Sequence, residues 1–211
     1  TRAFLPPPAI SWAAHLYSKK TEVPGVHDQR PLPISAENEI HRPVNILIVG
    51  ASGNLGSHLT KYLLGGPHRL RLLTHHRGLP FALPENAKAE IVQADLANLT
   101  TLQPVCQNID CIVYVAGVLF RPRPETFLRQ TNTVYVQNIV DAALNQRVQQ
   151  FLLVSFPHIE ENTTPEAPAM GTLDARPESV HARTRLDAEK YLFHGRKNKP
   201  LQPIALRAGV I

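Results

Sequence analysis

Short apolar runs alternate along this chain with stretches whose apolar positions recur at helical spacing. Ile46 to Val49 is apolar with β-branched ends and reads as a buried strand. Leu55, Leu59, Tyr62 and Leu63 then fall at helical spacing, and Gly65-Gly66-Pro67 has the chemistry of a C-cap glycine followed by a stop. Leu70 to Thr74 and Glu90 to Ala94 read as the second and third strands, and about Leu99 to Gln107 as a helix. Cys111 to Ala116 is the fourth strand. A long helix is expected from about Glu125 to Gln146, and Phe151 to Ser155 is the fifth strand. A proline-rich polar loop covers 156–178. Ser179 then caps a helix running to about Phe193, and Ile204 to Arg207 is the sixth strand. Short apolar strands alternating with helices predict an α/β fold, a doubly wound parallel sheet covered on both faces.

Residues 1–43 break this rhythm. Seven prolines, from Pro6 to Pro43, block regular structure, and only Ile10 to Tyr17 is amphipathic. The stretch reads as an arm or linker that wraps the domain or reaches a protein partner. Residues 44–211 read as one domain. Acids at Glu22, Asp28, Glu37 and Glu39 argue against a transit peptide, and no secretion signal is seen.

The first strand and helix meet at Gly50-Ala-Ser52-Gly53-Asn54-Leu55-Gly56. Strand, glycine turn and helix in that order is the setting of a dinucleotide fingerprint. Gly50 permits the tight turn. Gly53 lets backbone N–H groups approach a diphosphate, and Gly56 lets helix and strand lie close. The helix N-terminus adds unpaired N–H groups and a positive dipole end. Ligands of such sheets bind at the carboxyl ends of the strands. That rim gathers the glycine turn, Thr74 to Arg77, Asp95, Ala116-Gly117 and Ser155.

Composition adds limits. The net charge is +5, but the basic residues are scattered and few aromatics stand between them, which argues against nucleic acid. A basic surface can instead steer an anionic cofactor. No apolar stretch approaches bilayer length. Cys106 and Cys111 are too few for a disulfide framework and lack metal-ligand spacing, so reduced thiols in a reducing compartment such as the cytoplasm are expected.

The assembled pattern resembles the short-chain dehydrogenase/reductase superfamily, in its extended or atypical branch with NmrA-like and epimerase-like members. The resemblance rests on the glycine turn, Ala94-Asp95-Leu96, Val115-Ala116-Gly117, Asn132, Phe151-Leu-Leu-Val-Ser155 and Leu206-Arg-Ala-Gly-Val-Ile211. It implies a Rossmann fold holding a nicotinamide dinucleotide. It further implies that Asp95, with Leu96, meets the adenine edge, that Ala116 and Gly117 line the adenosine ribose, and that Asn132 helps order the site.

Charge bears on the choice of cofactor. NAD selection uses an acid about 20 residues after the glycines, yet no Asp or Glu occurs between Ala51 and Pro84. His75, His76 and Arg77 follow the second strand instead. The fork of donors on Arg77 suits a 2′-phosphate. NADP(H) is therefore preferred, with NAD(H) left open.

The resemblance departs at the chemistry. The superfamily carries Tyr and Lys four residues apart on the helix after the fifth strand. Here His181 and Arg185 hold those positions. Imidazole transfers protons near neutral pH, whereas Arg donates but does not titrate. The neighbouring cation favours neutral His181. Ser155 stands near where the superfamily polarises a substrate carbonyl. His158 and His181 could approach each other, but no third ligand supports a metal site. The superfamily's substrate pocket is built beyond a sequence like Leu206 to Ile211, so a substrate domain is missing or not included. Two classes follow. One is an NADP(H)-dependent oxidoreductase or epimerase-like enzyme acting on an unknown small molecule through Ser155, His181 and Arg185. The other is a non-catalytic NADP(H)-binding redox sensor or assembly subunit.

Overall fold

A computed structural model describes residues 42–118, 122–161, 163–164, 166–194 and 201–208. The expected arm over residues 1–43 lies, apart from Arg42 and Pro43, outside them.

Six parallel strands form one sheet in the order β3-β2-β1-β4-β5-β6: β1 (Asn45–Val49), β2 (Arg69–Thr74), β3 (Ala89–Gln93), β4 (Cys111–Tyr114), β5 (Gln150–Ser155) and β6 (Gln202–Arg207). Four helices connect them: α1 (Asn54–Leu63), α2 (Leu99–Cys106), α3 (Tyr135–Asn145) and α4 (Val180–His194). The order reverses between β1 and β4, the switch point at which such sheets open a crevice.

Alternation along each strand divides the core in two. Leu47, Val49, Ile112, Tyr114, Phe151 and Leu153 face one way, packing with Leu102 of α2, Val136 and Ile139 of α3 and Leu192 of α4. Ile46, Ile48, Leu70 and Leu72 face the other way, toward Leu59 and Leu63 of α1 and toward Leu79 and Leu83. The central β1 is thus buried on both faces, as its unbroken apolar run requires. The expectation of a sheet covered on both faces needs a correction at its edge. Ile204 and Leu206 pair in register with Leu152 and Val154, yet they stand 43% and 48% exposed, because the cover that α1 gives does not extend to β6.

One further expectation is corrected. The run from Glu125 to Gln146 is not one α-helix. A 3-10 turn at Pro124–Thr126 and a π-helical turn at Arg129–Val134 precede α3. The glycines after α1 end it without a left-handed turn: of the described glycines only Gly50 and Gly171 have positive φ. That helix closes by Leu64 N–H donating to Thr60 O at 3.0 Å and Gly66 N–H to Leu63 O at 3.0 Å. Ser179 does cap α4, its Oγ accepting the Ala182 N–H at 3.1 Å.

Distant polar contacts lock the helices to the sheet. Arg71 of β2 donates to Glu90 at 2.5 Å and to the carbonyls of Val105 and Gln107 at the end of α2. Arg207 of β6 grips buried Glu189 of α4 with Nε and Nη2, and also Glu160 and Thr172 O. Cys106 is buried and Cys111 half-buried, both free. Burial pushes their thiols up to about 12 and about 11, so both stay protonated. No helix among the described residues is long and apolar enough to cross a membrane.

Candidate functional site

The turn between β1 and α1 is shaped by what its glycines lack. Gly50 has φ +95°, a conformation that side chains strain to adopt. A Cβ there would also stand 2.8 Å from the backbone of Ala116, past the end of β4. The N–H groups of Gly50 and Ala51 both donate to Leu73 O, at 3.2 and 3.3 Å, so the turn is anchored over β2. At Gly56 a Cβ would fall 2.1 Å from Gly50 O. The helix can start this close to the strand only without it. Gly53 is different. It is exposed, and a Cβ would meet Gly50 O at 3.2 Å, tight but not impossible. It is also the N-cap of α1 with no side chain to bond the first turn. The amides of Asn54, Leu55 and Gly56 therefore have no intrahelical partner. Ser52 is half-buried, while Asn54 and Leu55 are exposed. The turn is a bare rim of N–H donors that fits a diphosphate.

His75, His76 and Arg77 follow β2 and are all exposed. The two imidazoles lie 3.6 Å apart between centroids, and Gln93 Nε2 donates to His75 O at 2.5 Å. His75 Nε2 is 3.9 Å from Asp95 Oδ1, which also accepts the Ala97 N–H at 2.9 Å. Asn138 of α3 donates to Leu96 O at 2.8 Å and fixes that loop.

The inner part of the site is a group of polar atoms without hydrogen-bond partners. They are Ser155 Oγ, His181 Nε2, Arg185 Nη1, Asn132 Oδ1 and Tyr114 Oη, each sealed from solvent. Such atoms are rare in folded proteins, and each costs about 1–3 kcal/mol while unpaired. Arg185 is only 5% exposed. Its Nη2 donates to Ala116 O at 3.4 Å and lies where a Cβ of Gly117 would be, 2.3 Å away. Gly117 thus makes room for the guanidinium. The His181 ring lies 4.4 Å from that of Phe156, the residue after Ser155. His158 packs on the same Phe156 ring at 5.4 Å, so both imidazoles meet an aromatic neighbour. No cluster of three or more possible ligands for a metal ion occurs among the described residues.

Burial holds the His181 pKa below its ordinary value of 6.5, and the Arg185 cation pushes the same way. Sequence reasoning identified the second cause but not the first. Burial also lowers the pKa of Arg185, while Tyr114 and Glu189 act in the opposite sense. Burial raises the Tyr114 phenol.

Asn132 sits in the π-helical turn, fully buried. Its Nδ2 donates to Thr184 Oγ1 at 3.1 Å, and Thr133 Oγ1 donates to Thr184 O at 2.8 Å. Thr184 Oγ1 itself donates back to Val180 O or His181 O, at 2.9 and 3.0 Å. Thr184 thus ties the π turn to the part of α4 that carries His181 and Arg185. Tyr114 and Thr184 were not singled out from sequence. A tyrosine closing an otherwise aliphatic strand, two residues before Ala116-Gly117, was the available signal for the first. For the second no local signal existed.

Fold and site together define a Rossmann-type domain of the short-chain dehydrogenase/reductase kind. The chain belongs to the NAD dependent epimerase/dehydratase family, whose profile matches residues 46–210. Among solved structures, MoeE5 in complex with UDP-glucose and NAD superposes with TM-score 0.66 at 23% identity, covering 77% of this chain and 53% of that one. The UDP-N-acetylglucosamine 4-epimerase of Methanobrevibacter ruminantium gives TM-score 0.66 at 19% identity, covering 79% and 55%. Likeness at this identity speaks for the fold. A curated relative is the dTDP-glucose 4,6-dehydratase of Streptomyces antibioticus, 29% identical over an alignment of 140 positions that covers 58% of this chain and 42% of the relative. Another is the mouse sterol-4-alpha-carboxylate 3-dehydrogenase, decarboxylating, 23% identical over 143 residues, or 68% and 36%. The chain thus spans about half the length of these solved neighbours, and less of the curated relatives.

Proposed function

We propose that this chain is the dinucleotide-binding part of an NADP(H)-dependent oxidoreductase or epimerase-like enzyme in which His181 and Arg185 stand in for the superfamily's Tyr and Lys. The observation that carries this reading is the set of unpaired buried polar atoms on Ser155, His181 and Arg185, at the same sheet rim as the bare glycine turn. A fold that had merely lost a catalytic site would be expected to fill that space with apolar groups, because unpaired polar atoms there destabilise it.

In this reading the free amides of Asn54, Leu55 and Gly56 hold the diphosphate. Arg77, with His75 and His76, binds the 2′-phosphate, and Asp95 and Leu96 meet the adenine. Ala116 and Gly117 border the ribose, and Asn132 braces the site from the π turn. A bound nicotinamide would supply the hydride acceptor or donor. Ser155 Oγ–H donates to the substrate oxygen. His181 Nε2, kept neutral at pH 7 by burial and by Arg185, accepts the proton that leaves that oxygen in the oxidative direction. Arg185 supplies fixed donors and a charge that does not titrate.

A second reading, a redox sensor that binds the dinucleotide without turnover, is favoured by one observation: the titrating Tyr–Lys pair is absent at residues 181 and 185. The protein incubated with NADP and a panel of secondary alcohols and nucleotide sugars, followed by dihydronicotinamide absorbance, separates the two. Turnover that drops about a hundredfold in His181→Gln, with dinucleotide affinity unchanged, supports the enzyme, since general acid–base groups contribute about that much. Dinucleotide binding with no turnover on any substrate supports the sensor.

A further inference from the structure

The guanidinium of Arg185 is buried, and its nearest acidic neighbour on α4 is already engaged. Glu189, one turn on, is 1% exposed and bound by Arg207 through Nε and Nη2. No salt bridge to Arg185 is found among the described residues, and Nη1 has no hydrogen-bond partner. Glu189 still acts on Arg185 through its charge, but a buried cation whose acid is bonded to another arginine is only partly compensated. In the reading above, the anionic groups of the dinucleotide have other receptors: the glycine turn for the diphosphate and Arg77 for the 2′-phosphate. The charge on Arg185 is left over. That charge acts on His181, whose ring packs on that of Phe156, and Phe156 directly follows Ser155 at the end of β5. An Arg offers two ends where a Lys offers one. Here Nη2 is spent on Ala116 O, and Nη1 remains.

We propose that Arg185 Nη1 is the receptor for a carboxylate carried by the substrate next to its reacting carbon–oxygen group, with Ser155 and His181 facing that group. The substrate class is then a 2-hydroxy or 2-oxo carboxylate. This rests on the dinucleotide reading of the site and goes beyond it by assigning the substrate's charge. Gly117 is part of the device: a Cβ there would lie 2.3 Å from Nη2 and displace the guanidinium.

The probe is oxamate, a small inert carboxylate with an adjacent carbonyl, set against its uncharged amide, oxamide. Each is titrated calorimetrically into the protein with and without saturating NADPH. Oxamate should bind at least about tenfold tighter than oxamide, the difference expected of a charge-assisted bond. It should bind equally well or better with NADPH present. Arg185→Met should lose that preference and melt no lower than the parent, because it removes a buried charge that is only partly compensated. If Arg185→Met does not fold, the oxamate-to-oxamide ratio of the parent decides, and Arg185→Lys, whose single end takes the place of Nη2, should lose most of the preference. Equal binding of the two probes, or oxamate binding retained in Arg185→Met, overturns the proposal. So does oxamate binding that NADPH abolishes, since the cation would then serve the dinucleotide. Failure of NADPH itself to bind would instead overturn the dinucleotide reading.

Discussion

The three glycines of the β1–α1 turn do different work, and substitution should separate them. Gly56→Ala forces a carbon to 2.1 Å from Gly50 O, so the helix start must move. A loss of about 1–3 kcal/mol, typical of overpacking, is expected in urea denaturation. Gly53→Ala meets Gly50 O only at 3.2 Å at an exposed position, so stability should stay close to the parent's. Its methyl nevertheless stands on the rim of free amides, and NADPH affinity should fall. A Gly53→Ala protein that binds NADPH as the parent does would mean that the amides there touch no phosphate. His181 gives a pH test. Its pKa is lower folded than unfolded, so its contribution to stability is full above 6.5 and is lost as pH falls through the folded value. The parent's melting temperature should therefore fall faster than that of His181→Gln as pH drops below 6.5; parallel curves would mean that His181 is not held neutral. At this scale the sequence was informative wherever spacing alone constrained the chain, as at Gly50 and Gly56. It was silent on burial, and burial is the larger cause of the His181 shift and the reason Arg185 matters.

Among the elements, strands were legible because apolar runs bounded by Gly, Pro and polar residues leave little choice, and β1 to β6 fall within a residue or two of expectation. The stretch before α3 was not. Its helical periodicity is genuine, but the π turn that widens it at Arg129–Val134 carries tertiary bonds from Asn132 and Thr133 to Thr184, which local sequence cannot encode. A π turn often marks a functional site, and here it orients α4. Thr184→Val keeps the shape and removes the hydroxyl, leaving the buried Asn132 amide without its partner. A loss of about 1–3 kcal/mol is expected, and Thr184→Ser should restore most of it. Thr184→Val at parental stability would mean that the Asn132–Thr184 hydroxyl bond adds nothing to what packing and the Thr133 bond to Thr184 O already supply. The glycine pair after α1 teaches the converse lesson: a capping signal can be present while the chain closes the helix by ordinary backbone bonds.

For the whole molecule, the order β3-β2-β1-β4-β5-β6 brings five separate sequence segments to one rim. The glycine turn, the basic pair of imidazoles with Arg77, the Ala116-Gly117 loop and the Ser155/His181/Arg185 group meet there only through the crossover at β1 and β4. The fold class could be foreseen from alternation, because parallel sheets need helical crossovers. The joining of unpaired donors at the rim could not, since it depends on which side chains find partners in three dimensions. The exposed Ile204 and Leu206 belong to this scale too: the sheet's second face is completed over β1 and β2 and left open at β6. The central claim remains the bare turn at Gly50 to Gly56. Its most direct test is a fluorescence titration of the protein with NADPH and NADH, beside Arg77→Ala. Saturable NADPH binding, tighter than NADH by about tenfold and reduced to the NADH level in Arg77→Ala, is the expected result, since one charge-assisted phosphate contact accounts for that ratio. Failure of both dinucleotides to bind would contradict the account, and equal affinity for the two would remove the role given to Arg77.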